Sequence, residues 1–317
     1  MAAPDPQANL TKGLWIGLLG IVIFSVTLPM TRLAVGTPEA PQMSGLFIAF
    51  GRAVVAAALS AVFLLLTRAP LPQRRDWWPL AITAGGVVFG FPLLTSIAMR
   101  HVEAVHASVI VGVLPLATAA VGALLHRQRP SKGFWCCAAL GTSLVVCFAV
   151  LRSGQAGAFS ISASDLLLLA AMLCAAVGYA FGAQLSQRMR AEHVICWALV
   201  FSLPLSLPMA LLNLPTIPLK AASWWAFAYV AVFSMWLGFF AWYRGLALGG
   251  TVRVSQVQLV QPFLSMLFAV PLLGERLDAL TIGFGLAVIA TVFIGKQMTV
   301  NAASPIKPPF AVPPVAK

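Results

Sequence analysis

QMSGLFIAFGRAVVAAALSAVFLLL, residues 42–66, holds one charge, Arg52, in twenty-five residues. As an α-helix rising about 1.5 Å per residue it exceeds the ~30 Å hydrocarbon core of a bilayer. It has no polar stripe to turn toward water, so it reads as a membrane-spanning helix. Working outward, apolar runs set off by charges, Pro/Gly clusters and Trp pairs predict ten spans: 13–35, 42–66, 78–99, 104–125, 133–151, 164–186, 194–213, 224–246, 252–273 and 279–296. The expected fold is an all-α membrane protein.

Composition excludes the alternatives. Of 317 residues, 60% are apolar and 9% charged, against roughly 45–50% and ~25% in soluble domains. So few charges cannot cover a water-facing surface, which excludes a soluble enzyme or cytosolic regulator. Lys plus Arg number 20 and Asp plus Glu 8, a net charge of +12. The basic residues sit mostly in short loops, as orientation signals do. No RNP, zinc-finger or phosphate-loop motif accompanies them, so the expected partners are the lipid bilayer and a small-molecule substrate, not nucleic acid. No oligomeric partner is specified. Cys136, Cys137, Cys147, Cys174 and Cys196 all fall in apolar runs without metal-site spacing and read as small apolar fillers. The stretch 298–317, with five prolines and two lysines, is expected to be a disordered cytoplasmic tail.

The chain repeats itself. A shift of 147 residues places Trp77-Trp78 on Trp224-Trp225, Ser108 on Ser255, Pro115 on Pro262 and Gln128 on Glu275. Five spans per copy, an odd number, oblige the second copy to enter the membrane from the opposite side. The expectation is two inverted five-helix repeats, 13–150 and 164–296, with a site near the midplane between them. Loop charge agrees. Arg68, Arg74, Arg75, Arg127, Arg129 and Lys132 follow spans 2 and 4, whereas Lys220 and Arg276 follow spans 7 and 9. Six basic residues against two put both termini in the cytoplasm, in a bacterial inner (plasma) membrane.

Residues 245–294, GLALGGTVRVSQVQLVQPFLSMLFAVPLLGERLDALTIGFGLAVIATVFI, resemble the end of an EamA domain of the drug/metabolite transporter superfamily. The pattern is a small-residue turn, a polar-faced span with a central proline, Gly-Glu-Arg, then a Gly-rich span. Residues 104–150 resemble the same stretch, with Gln128 where the family usually has Glu. The resemblance implies a transporter and is uninformative about substrate.

Polar groups deep in lipid are costly and mark candidate sites. In span 9, Ser255, Gln258, Gln261 and Ser265 share one face at about 100° per residue, beside the backbone break expected at Pro262. Span 8 offers Trp236, Phe240 and Tyr243; span 6 offers Tyr179 and Gln184, beside a Gly178/Gly182 spacing that suits close helix packing. Span 3 offers Phe89 and Thr95 around Pro92, and span 1 offers Ser25, Thr27 and Thr31 around Pro29. Arg52 falls near mid-depth, either bonding carbonyls or facing a cavity. Arg32 rims the outer end of span 1. His101, Glu103 and His106 lack the spacing of a metal set, so no metal and no cofactor are expected. His106, a few residues into span 4, is the one candidate for proton coupling. The leading expectation is a secondary transporter exporting an amino acid or similar zwitterion, aromatic ones included, down its own gradient. Efflux of toxic organic compounds is the alternative within transport, weakened by the lack of an intramembrane carboxylate. A membrane enzyme or scaffold is the alternative of another class, and no paired nucleophile and base is visible.

Overall fold

The structure, a computed structural model, describes residues 6–125, 129–155, 162–249, 254–297 and 300–301. These residues are nearly all helical. The first half comprises α1 (Pro6–Ser25), α2 (Thr27–Val35), α3 (Gly45–Leu66), α4 (Arg74–Thr83), a π-helical turn Ala84–Gly90, α5 (Phe91–Ala98), α6 (Ala104–Val111), α7 (Leu114–Leu125) and α8 (Lys132–Gln155). The second comprises α9 (Ala163–Leu185), α10 (Ala191–Leu212), α11 (Ala221–Tyr229), a π turn Val230–Leu237, α12 (Gly238–Gly249), a 3-10 turn Ser255–Val260, α13 (Gln261–Leu273) and α14 (Ala279–Gln297). Among the described residues, extended structure is limited to the pairing of Arg129–Pro130 with Val300–Asn301 and a bridge between Gly36 and Pro41.

Among the described residues, seven helices are long and apolar enough to cross a membrane, running from Asn9–Val35 to Ala221–Gly249. The other three expected spans stand as shorter apolar helices, Trp135–Phe148, Val257–Leu273 and Ala279–Thr291. Element starts recur at a fixed distance. α4, α5, α7 and α8 begin at 74, 91, 114 and 132, and α11, α12, α13 and α14 begin 147 residues later, at 221, 238, 261 and 279.

The irregular turns have local causes. Pro29 cannot donate to the Ser25 carbonyl four residues before it, and the first span breaks there into α1 and α2. Pro92 likewise leaves the Val88 carbonyl, and the preceding turn widens until the Phe91 amide reaches the Gly86 carbonyl. The second π turn makes the matching contact, Gly238 amide to Phe233 carbonyl, without a proline. Gly112 and Val113 separate α6 from α7 one residue before Pro115.

Small residues set the closest contacts. α1 and α12 meet almost backbone to backbone: a Cβ on Gly13 would stand 2.6 Å from the Gly249 nitrogen, one on Gly245 2.7 Å from the Gly17 nitrogen, and one on Gly20 3.0 Å from the Trp242 nitrogen. Around this seam α3 packs on α10, α8 on α14, α2 on α11, and α9 on the α4–α5 span. Side chains such as Trp15, Leu66, Trp78, Leu212 and Trp225 are exposed on the outside of the bundle, a surface suited to lipid.

Candidate functional site

The centre is built from the broken helices. The hydroxyl of Ser265 on α13 donates to the Ser25 carbonyl at 2.7 Å, supplying the partner that Pro29 removed. Thr27, the first residue of α2, lies 2.9 Å from Ser234 in the second π turn. These two bonds tie the first span to α13 and to the span that includes α12.

Arg52 is central. α3 begins at Gly45, three residues later than expected, so Arg52 is seven residues from one end and fourteen from the other, about a third of the way across. Its side chain is 2% exposed, and its Nε and Nη1 find no hydrogen-bond partner. It lines a cavity with Thr27, Tyr179, Ser234 and Gln261, closed by the rings of Phe24 and Phe239. Phe24 and Phe239 meet edge-on at 5.0 Å, and Tyr179 lies 6.0 Å from Phe239. The free space is about 20 Å³, room for one or two waters rather than a metabolite. The centre is closed in this conformation.

A second small cavity adjoins it, sharing Leu28, Val111 and Gln261, and is lined by Ser108, Gln258 and Ser265. Gln258 is 1% exposed, and neither its amide oxygen nor its nitrogen has a partner. Gln258 and Gln261 are three apart across a 3-10 turn, where residues i and i+3 eclipse. Of Ser255 only the backbone is described.

The other expected site residues lie elsewhere. Trp236 and Phe240 pack on Phe63 with centroids 6.2 and 4.9 Å away, against α3 rather than in either cavity. Tyr243 is fully buried, fills the notch at Gly182 and points its hydroxyl to the Gly178 carbonyl at 3.5 Å. Phe89 lies 5.8 Å from Phe50 with the two rings tilted, and the Thr95 hydroxyl bonds back to the Phe91 carbonyl at 2.6 Å. Thr31 is buried with its hydroxyl unpartnered, and Gln184 is half-buried near the end of α9. Phe24, Ser234 and Phe239 were not expected. Ser234 and Phe239 are five apart, the hydrogen-bond span of a π turn, which a search at helical spacing passes over.

Both ends are cross-braced. At one end His106 on α6 meets Asp165 on α9 at 2.7 Å, both buried. The other Asp165 oxygen accepts from the Ser162 amide in a capping box. Nearby, the two oxygens of Glu275 accept from the Ala104 and Val105 amides, each at 2.8 Å, capping α6 from the far half of the chain. Burial pushes the Glu275 carboxyl above the usual range, while these amides pull it back. Gln128, the residue at Glu275's place in the first half, lies outside the described residues. At this end a vestibule of about 570 Å³ is lined by Arg32, Gln42, Glu103, Lys220, Glu275 and Asp278 among others. At the other end Arg188 faces Asp76 at 3.5 Å and Arg244 bonds Glu192 at 3.0 Å. Among the described residues no group of three or more acidic, His or Cys side chains is arranged to hold a metal ion.

Known proteins give this architecture its context. Residues 11–150 and 162–295 each match the EamA-like transporter family. An uncharacterized transporter of Bacillus subtilis, YdeK, is 42% identical over 298 residues, covering 91% of this chain and 99% of its own. A second from the same organism, YyaM, is 24% identical over 81% of this chain and 85% of its own. A solved crystal structure superposes with a TM-score of 0.63 at 18% identity, covering 90% of this chain and 97% of its own, which speaks to fold alone. Matched in both halves, the chain belongs to the EamA-like transporter family of the drug/metabolite transporter superfamily.

Proposed function

We propose that this transporter is a secondary carrier that moves a small, carboxylate-bearing metabolite outward by alternating access, the amino-acid class expected from the sequence among its candidates. The observation that carries this reading is Arg52, a buried guanidinium with two unpartnered nitrogens in a cavity walled by aromatic rings. A charge there without a protein partner is expensive, and a cargo carboxylate would satisfy it through charge-assisted hydrogen bonds. An organic cation would meet repulsion at the same place, which weighs against toxic-cation efflux.

The scaffold we propose is ten spans in two inverted repeats, with both termini in the cytoplasm of a bacterial inner (plasma) membrane. The recurring 147-residue offset of helix starts supports it. So does the separation of loops, since the vestibule draws on 36–42, 103, 220–223 and 273–278, the set expected outside. The carrier would then rock between its closed centre and states open to either side. His106, the group the sequence offers for proton coupling, is held by Asp165 and lines neither central cavity, which favours facilitated diffusion.

Two measurements test this. Single cysteines at exposed Glu39 and Arg74 in cells should label from outside and only after permeabilisation, respectively; the reverse reads as an inverted molecule. Vesicles carrying the full-length protein and preloaded with a carboxylate should accumulate labelled compound by counterflow. Absence of counterflow for every carboxylate offered would sink the carrier reading.

A further inference from the structure

We infer that the central site selects a monocarboxylate with an apolar or aromatic body and no ammonium group, carried as an anion; this rests on the carrier reading above. Among the described residues, the two cavities are lined by one charged residue, Arg52, and by no acid. The buried acids among the described residues are engaged elsewhere: Asp165 with His106, Asp76 with Arg188, and Glu192 with Arg244. A bound monoanion would leave the buried site neutral. A zwitterion would leave a net positive charge with no carboxylate to meet its ammonium, in a medium where unpaired charge is least tolerated. The remaining polar groups, Thr27, Ser234, Gln258 and Gln261, suit a carboxylate oxygen or a hydroxyl, while Phe24, Tyr179 and Phe239 offer the apolar wall.

Charge then gives direction. Arg52 stays on α3 while the gates rock, so each cycle moves the cargo's single negative charge. A potential negative inside drives that charge outward, by roughly fifty-fold in concentration ratio per 100 mV. Net export therefore needs no second coupling ion.

A shape-matched panel on the full-length protein decides the matter: 3-phenylpropionate, hexanoate, phenylalanine, phenethylamine and 3-phenylpropionamide. Thermal stabilisation reads binding. Current on a supported membrane reads charge movement and is blind to passive leakage of the uncharged acid. The expected result is stabilisation by at least one monocarboxylate, about tenfold or more weaker for phenylalanine, and none for the amine or amide. A monocarboxylate gradient should give a current of the sign of moving negative charge. Arg52→Leu should remove both signals and Arg52→Lys should retain part of each; if Arg52→Leu fails to fold, Arg52→Lys and the panel on the native protein still decide. Phenylalanine, amine or amide binding as well as the acids overturns the charge rule and leaves the carrier standing. A monocarboxylate that binds but gives neither current nor counterflow overturns the carrier as well. Silence from both monocarboxylates overturns the inference.

Discussion

Compared position by position at the 147-residue offset, the two halves share backbone and differ in chemistry. The π turns fall at Ala84–Gly90 and Val230–Leu237, and a break or 3-10 turn precedes both Leu114 and Gln261. The side chains at the centre do not match. Ser234 corresponds to Val87, Gln258 to Val111 and Gln261 to Leu114, and all six line the central cavities. Arg52 corresponds to Leu199, which is fully buried. The first span breaks at Pro29, whereas α9 has Ala176 there and runs unbroken for 23 residues. On the proposed carrier reading, paired irregular turns would suit movement that must work from both sides, with the polar side chains of these pairs all on one member.

That contrast breaks most severely at Arg52. Arg52→Leu, which makes the site as apolar as its counterpart, should lower cargo affinity by at least ~30-fold, the loss expected when one member of a buried charge pair goes; equilibrium binding to purified protein reads it. Gln258→Leu and Gln261→Leu each remove an uncharged polar contact and should weaken binding about five- to tenfold with folding near normal. Undiminished transport in both would reassign these glutamines to helix contacts.

Glu275→Gln imitates the first half, where Gln128 occupies the place. Gln keeps one accepting oxygen and sets a donor NH2 against the second α6 amide, so stability should fall by about 1–2 kcal/mol, read as a lower thermal midpoint. Because burial holds this carboxyl above its ordinary 4.5, the folded protein takes up a proton before the unfolded chain does. Its contribution to stability is therefore full below about pH 4.5 and declines as pH rises through the folded value. Glu275→Gln should flatten that slope. The smallest effect is expected for Ser265→Ala, about 0.6 kcal/mol, typical of a hydrogen bond between spans. A larger loss would show that the Ser25 carbonyl finds no other partner.

Much of this arrangement is legible in the sequence because hydropathy and charge act over whole spans. The offset of 147 is visible in Trp77-Trp78 and Trp224-Trp225 and reappears in the helix starts. Gln258, Gln261 and Ser265 were found on one side because a 3-10 turn followed by an α-helix keeps spacings of three and four aligned. The aromatic face at helical spacing does not line the two cavities, for the opposite reason. Trp236, Phe240 and Tyr243 share a face only at 100° per residue, and the π turn at 230–237 shifts that face, bringing Ser234, Met235 and Phe239 to the cavity instead. A π turn has no composition of its own to announce it. The Asp165 and Glu275 contacts join residues 59 and about 170 positions apart, which no local pattern encodes.

The glycine seam carries a consequence for biogenesis. Gly13 and Gly17 find their counterparts at Gly249 and Gly245, more than two hundred residues downstream. At roughly 5–20 residues per second of synthesis, α1 waits on the order of 10–50 s in the bilayer before α12 leaves the ribosome. Throughout that interval its glycine face must rest against lipid, another nascent helix or the insertion machinery. Chains stalled before Gly238 should therefore be especially open to proteolysis, and those released beyond Gly249 protected. One late step of assembly would be the closing of the chain's beginning onto α12, with the carrier competent only once that contact is made.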